Sequence, residues 1–200
     1  MPAIRANAPL SAVILALSCA SASAAVVEQS IGVTFPDRIG AMVFHGRKAF
    51  DDPRLGDVIR YDEAGRDLPA GGLTVGVYVY NGGLAHISDD LDSRQVRLNF
   101  RQVITEVKTM EQLGKAKAVR LPPEGEQVTA LAGCGPQFVW ERYEMELPEG
   151  ATLTSATYLT VMHDNFVKLR ISYRKGDAKS PAIAEDFVAR LHNVLGGCAP

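Results

Sequence analysis

The segment LTVGVYVYN, residues 73–81, constrains the fold of this chain more than any other stretch. Its side chains alternate with the period of two that a β-strand imposes, so four aliphatic residues share one face while Tyr78 and Tyr80 share the other. Because both faces are mostly apolar, the pattern predicts an inner strand of a sheet.

The hydrophobic period then changes from two to about 3.6, which predicts an amphipathic helix over residues 92–113. Asp92 or Ser93 is suited to cap its N-terminus, and Gly114 suits the position just past its end. The apolar stripe consists of Val96, Phe100, Val103, Val107 and Met110.

The second half of the chain predicts several strands and a closing helix. In NFVKLRISYRK the aliphatic residues alternate with Lys168, Arg170, Ser172 and Arg174, and the preceding HDN suits a tight turn. SPAIAEDFVARLHNVLGG predicts a second helix over residues 181–195, with Ser180 as its cap.

This order of elements does not alternate regularly, as it would in a doubly wound α/β fold. It predicts an α+β fold in which a mostly antiparallel sheet is covered by the two amphipathic helices. The chain has 200 residues, and we expect residues 26–200 to form a single domain.

The first 25 residues have the three parts of a secretory signal peptide. Arg5 precedes an apolar run that is too short to span a membrane, and small residues lead to a cleavage site near Ala24 or Ala25. These features predict a periplasmic or secreted protein with no transmembrane segment. Processing as a lipoprotein at Cys19 is the alternative, although Ala16 stands where that pattern usually has Leu.

Removal of the signal leaves Cys134 and Cys198 in a compartment that favours oxidation. We expect a disulfide between them, with two free thiols as the alternative. On the chain-entropy model a bridge closing such a loop contributes about 4 kcal/mol. Its role would be to hold the end of the second helix against the GCGP loop.

Two stretches, LTVGVYVYNGGLAHISDDLDSRQVRLNFRQ and FVKLRISY with the helix after it, resemble small secreted proteins of proteobacteria that have no assigned activity. The order of elements is also similar to the α+β sandwich shared by the PsbP protein of photosystem II and Mog1. The resemblance implies a PsbP/Mog1-like architecture and brings no catalytic motif with it, and fold alone does not imply function.

The loop YNGGLAHISDDLDS connects the inner strand to the first helix. We interpret residues 81–92 as a structural turn whose aspartates complement the helix dipole. The alternatives are an anion site at the helix N-terminus and a calcium site, which would lack the spacing of an EF-hand.

No motif for metal binding, cofactor binding or nucleophilic catalysis is present, so no metal and no cofactor is predicted. The four histidines are widely separated in sequence, and Glu144 and Glu146 are best explained as charges on a solvated strand. The histidines are His45, His86, His163 and His192.

Aromatic residues give the most specific candidate site. Tyr78 and Tyr80 share one face of their strand, while Phe138 and Trp140 share one face of another strand that Arg142 continues. These five side chains could together line a shallow apolar pocket or a partner surface. Packing beneath one of the helices is the alternative.

The net charge of −2 excludes the basic footprint of a nucleic-acid-binding protein. We therefore expect a non-catalytic binding or accessory domain for an envelope protein or a small ligand. The alternative is a cell-envelope hydrolase or metal-dependent enzyme whose site is assembled from residues distant in sequence. A purely structural envelope protein is the third option.

Overall fold

The computed structural model describes residues 26–68, 70–123, 127–129, 131 and 133–197. The predicted signal peptide and Cys198 lie outside these residues. The described part is an α+β fold with a large antiparallel sheet, as the sequence predicts. The strands are β1 (Val26–Glu28), β2 (Val33–Phe35), β3 (Arg38–Ile39), β4 (Met42–Ala49), β5 (Asp57–Glu63), β6 (Thr74–Tyr80), β7 (Ala118–Arg120), β8 (Gln127–Thr129), β9 (Phe138–Glu146), β10 (Thr152–Met162) and β11 (Asn165–Arg174). The helices are α1 (Arg94–Gln112), α2 (Ser180–Gly196) and a short 3₁₀ helix (Pro53–Leu55).

The strands β3 to β11 form one sheet in the order β3-β4-β5-β6-β11-β10-β9-β7, and β8 pairs with the other end of β9. Every pairing is antiparallel. The strand predicted to be internal is β6, which lies between β5 and β11 at the centre. The β1–β2 hairpin forms a separate two-stranded sheet.

The helix α1 begins and ends within two residues of the predicted bounds. The Ser93 hydroxyl accepts a hydrogen bond from the Val96 backbone N–H, so Ser93 is the cap, and Gly114 adopts φ of 65° just past the helix. Four of the predicted stripe residues are buried, namely Val96, Phe100, Val103 and Val107.

The helix α2 also forms, but its predicted cap is wrong. Ser180 is already inside the helix, and the side chain of the capping residue Lys179 makes no hydrogen bond to the first turn. Instead, the Asp177 carboxylate accepts hydrogen bonds from the Ser180 backbone N–H at 2.8 Å and from its hydroxyl. A carboxylate performs this role well because it complements the helix dipole.

The two helices cover opposite faces of the sheet. Side chains of α2, including Phe187 and Leu191, pack on aliphatic residues such as Val77 and Leu169, together with the β1–β2 hairpin. On the other face α1 packs over the β11-β10-β9-β7 half of the sheet, through Val96 and Phe100 at one end and Val107 at the other. The face that carries α1 therefore stays open over β4, β5 and the part of β6 before Tyr80.

Candidate functional site

The register of the sheet separates the five predicted site residues into two groups. Tyr78 lies opposite Lys168 of β11, which lies opposite Leu159 and then Val139 of β9, so these four share the α1 face. Phe138 and Trp140 flank Val139 and therefore point to the α2 face. The structure does not bring all five side chains into one pocket, because the register of the pairings between β6 and β9 places the two groups on opposite faces of the sheet.

On the α2 face, Phe138 is buried and packs edge-to-face on Tyr158 with 6.1 Å between ring centroids. Trp140 stacks on the same Tyr158 ring at 5.5 Å, and the Arg142 guanidinium lies 5.9 Å from the Trp140 ring. Phe138 therefore belongs to the core, as the packing alternative holds. Trp140 and Arg142 contact each other side by side near the edge of the sheet.

On the α1 face, Tyr78 and Tyr80 line an elongated groove. We call it the α1 groove; it lies between α1 and the strands β6, β10 and β11, and it continues over the open sheet at β4 and β5. The Tyr80 hydroxyl donates a hydrogen bond to the Asn99 side-chain oxygen at 2.8 Å, and its ring packs on Phe166 at 5.4 Å. Tyr80 thus fixes α1 against the sheet, whereas Tyr78 faces the open part of the groove.

The α1 groove has three adjoining parts, and Tyr78 lines all of them. A mouth of about 520 Å³ lies beside the N-terminal half of α1. A narrow waist of about 130 Å³ passes beneath Val103 and Glu106. A wide basin of about 650 Å³ covers the open sheet. Volumes of this order are typical of small-molecule sites.

Cations concentrate along the groove. Lys168 lines the mouth and waist, Arg170 lines the waist and basin, and Lys48 and Arg60 line the basin. Arg60 donates a hydrogen bond to Asp62 at 3.2 Å, whereas Lys48 lies over the Phe50 ring. Among the described residues, half-buried Arg170 has no hydrogen bond and no ion pair. Glu106 lines the waist together with Arg170 but forms no ion pair with it, so the guanidinium keeps hydrogen-bonding capacity for an anion.

Lys168 is enclosed by the two tyrosines. Its ammonium nitrogen lies 4.5 Å from the Tyr78 ring centroid and 5.4 Å from that of Tyr80. Burial lowers the pKa of Lys168, and Arg170 lowers it further, while the nearby Glu106 carboxylate acts in the opposite direction. Burial also raises the pKa of Tyr80 well above its ordinary value, so that phenol stays neutral.

Gly76 forms part of the basin floor at the centre of the sheet. A Cβ atom at this position would lie 2.8 Å from the Tyr78 ring carbon Cε2, which is too close. The missing side chain therefore lets the Tyr78 ring lie flat over β6. An interior strand glycine of this kind is typical of a close approach by another group.

The loop of residues 81–92 is held by hydrogen bonds to the rest of the chain. Its backbone is held by the β10–β11 turn, where Asp164 accepts a hydrogen bond from the Ile87 N–H at 3.0 Å and pairs with His86 at 2.7 Å. Asp90 accepts from the Asp92 N–H at 2.9 Å. The loop also places Leu84 at the mouth of the α1 groove.

The histidines and the strand carboxylates do not converge within the described residues. His45 pairs with Asp62, His163 contacts the Ile31 carbonyl oxygen, and His192 is buried in α2.

Glu144 and Glu146 share ion pairs with Arg120, and Glu144 also pairs with Lys175. In the described ranges no group of three or more His, Cys, Asp or Glu side chains is arranged to hold a metal ion.

Lys168 and Arg170 are candidate site residues that the sequence patterns do not predict. Both alternate with aliphatic residues of β11, which is typical of a polar strand face. The available signal was their position in a strand as apolar as β6, since cations on an inner strand need a partner or a ligand.

The chain matches no protein-family model, and no curated protein matches it either. None of the helices in the described segments combines the length and the apolar character that a membrane crossing requires.

Proposed function

We propose that this protein is an exported, non-catalytic binding domain that holds a small acidic ligand in the α1 groove. The observation that carries the proposal is Arg170, a half-buried guanidinium that has no acidic partner among the described residues. Desolvating a charge without compensation is costly, so a folded protein retains such a group where an anion repays the cost.

The surroundings of Arg170 support an anionic ligand. Lys48 and Arg60 border the same basin, and Lys168 lies next to Arg170 on β11. The chain as a whole carries a net charge of −2, so this concentration of cations is local and does not reflect the composition. A cationic concave surface raises the local concentration of anions and holds them by charge-assisted hydrogen bonds.

A binding role accounts for the groove better than hydrolysis does. The His45 and Asp62 pair at the basin edge, with 2.9 Å between Nδ1 and Oδ2, is the arrangement closest to a catalytic dyad there. A nucleophilic mechanism also needs a hydroxyl or thiol that is hydrogen-bonded to the other ring nitrogen of His45, and no described residue supplies one. The cations and the tyrosines recognise a ligand without such a group.

The proposal includes export, cleavage near Ala24 or Ala25, and a disulfide between Cys134 and Cys198. Support for the disulfide comes from the Cys134 sulfur, which lies 3.8 Å from the Gly196 carbonyl oxygen, two residues before Cys198. The intact mass of the unreduced, periplasmically expressed protein tests both parts. We expect the mass of residues 25–200 or 26–200 less two hydrogens; a lipid adduct at Cys19 or the full thiol mass would contradict them.

Isothermal titration with two acids and their amine counterparts tests the binding role. The acids are naphthalene-2-carboxylate and decanoate, and the controls are naphthalene-2-methylamine and decylamine, all below their aggregation concentrations. We expect at least one acid to bind and both amines to bind at least tenfold more weakly. Arg170→Gln should weaken the binding of that acid by tenfold or more.

The matched control is Arg142→Gln, which removes the same charge from the opposite face of the sheet. It should leave binding unchanged within about twofold. The proposal fails if neither acid binds, or if the two variants weaken binding equally.

A further inference from the structure

We infer that the ligand of the α1 groove is an unbranched amphiphile with an acidic head group, of the long-chain carboxylate class. The head lies in the basin beside Arg170, and the chain runs through the waist to the mouth. This inference rests on the proposed function and specifies its ligand.

The apolar character of the mouth carries the first step. Leu55 of the 3₁₀ helix, Leu84 of the loop after β6 and Leu98 of α1 are 52%, 40% and 49% exposed, and all three line the mouth. Three separate segments therefore direct an exposed leucine to one cavity. Convergence of this kind marks a binding surface, whereas isolated exposed leucines need no explanation.

The interior of the mouth continues this apolar surface. Phe50, Tyr80, Val103 and Phe166 line it beneath the leucines. An ion pair between Arg54 and Asp52, with 2.7 Å between nitrogen and oxygen, lies at the rim. Since these two charges satisfy each other, the other charged residues that line the mouth are Lys168 and Glu106, and the apolar surface between them suits a hydrocarbon.

The waist is the smallest of the three parts of the groove. With about 130 Å³ bordered by Tyr78, Val103, Val107 and Met110, it has room for an extended methylene chain. Lys168 also lines the waist. Lysine methylenes commonly cover apolar surface while the ammonium stays near polar groups.

Charge then orients the amphiphile. Glu106 lines both the mouth and the waist, where its carboxylate repels an acidic head. The basin is lined by Lys48, Arg60 and Arg170, and Glu106 does not reach it. An acidic head is therefore stabilised in the basin, and the hydrocarbon is directed toward the leucines.

Isothermal titration with hexanoate, decanoate and tetradecanoate tests the inference. Each additional buried methylene should tighten binding by about fourfold until the chain fills the groove. Decyltrimethylammonium, with the chain of decanoate and the opposite charge, should bind at least tenfold more weakly than the carboxylate.

Variants at the mouth locate the chain. Leu98→Asn should weaken the binding of tetradecanoate by tenfold or more and leave the binding of hexanoate unchanged. Leu113→Asn is the matched control, because Leu113 is 61% exposed just past the end of α1 and lines none of the three parts of the groove. Both positions are exposed, so both variants should fold, which the far-ultraviolet circular dichroism spectrum checks.

The outcomes separate the inference from the proposed function. Arg170-dependent binding of the carboxylates without dependence on chain length would overturn the inference and leave the acidic-ligand role standing. Equal binding of decyltrimethylammonium, or equal effects of Leu98→Asn and Leu113→Asn, would also overturn it. Absence of any Arg170-dependent acid binding would overturn both.

Discussion

Tyr61 provides a quantitative test of the core between the sheet and α2. Its side chain is fully buried, its hydroxyl donates a hydrogen bond to the Pro36 carbonyl oxygen at 2.6 Å, and its ring packs edge-to-face on Phe187 at 5.5 Å. Tyr61→Phe keeps the ring contacts and removes one buried hydrogen bond. We expect the free energy of unfolding at pH 7 to fall by about 1–2 kcal/mol.

The same substitution should change the dependence of stability on alkaline pH. Burial raises the pKa of Tyr61 above its ordinary value of 10.0, and Asp37 contributes to the increase. The folded state then keeps the proton while the unfolded state loses it, so stability is lost as the pH rises above about 10. Removing the phenol should reduce this loss by about 1.4 kcal/mol per pH unit.

Urea unfolding followed by circular dichroism, at pH 7 and at several values from pH 9 to 11.5, measures both effects. The control is Tyr143→Phe, since the Tyr143 hydroxyl shares a 3.2 Å hydrogen bond with Thr157, whose own hydroxyl can reorient. Tyr143→Phe should lower the free energy of unfolding at pH 7 by less than Tyr61→Phe does. A loss below about 0.3 kcal/mol for Tyr61→Phe, or an unchanged alkaline slope, would refute the reasoning.

Three further predictions concern the second helix. Replacing Cys134 and Cys198 by Ser should lower the free energy of unfolding by about 4 kcal/mol in urea titrations, whereas no change would refute the disulfide. Hydrogen bonds from Arg66, and then from Ser180, hold the pKa of Asp177 well below its ordinary value. Asp177→Asn should therefore shift the urea midpoint down at pH 7, and this difference should shrink below about pH 4, because the unfolded state then binds a proton at Asp177 that the folded state does not. His192→Leu should raise stability by about 1 kcal/mol in thermal unfolding, because both buried ring nitrogens have no hydrogen-bond partner among the described residues.

Local patterns in the sequence determine much of the fold. The alternation in β6 predicts its inner position, and the 3.6-residue period predicts α1 nearly to its ends, because each pattern reports burial on one element alone. The cap of α2 was missed for a physical reason. Asp177 reaches the first turn from three residues before Ser180, and its carboxylate is also held by Arg66, which is 111 residues away.

Only part of the α1 groove follows from the sequence in the same way. That Tyr78 and Tyr80 share a face follows from their spacing alone, and so does the pairing of Phe138 with Trp140. Which of these pairs faces which helix depends on how many strands lie between them and on the register of each pairing. A shift of one residue in β10 would exchange the faces, so the separation of the two pairs was decided by the tertiary structure.

The sequence by itself therefore determined which residues lie together on each element, because a strand or helix fixes the direction of its own side chains. The tertiary structure alone decided that α1 covers only half of its face of the sheet. That placement leaves Lys168 and Arg170 of a central strand beside an open groove, and it brings Leu55, Leu84 and Leu98 to one end. Such convergence depends on packing between distant segments, which no local pattern encodes.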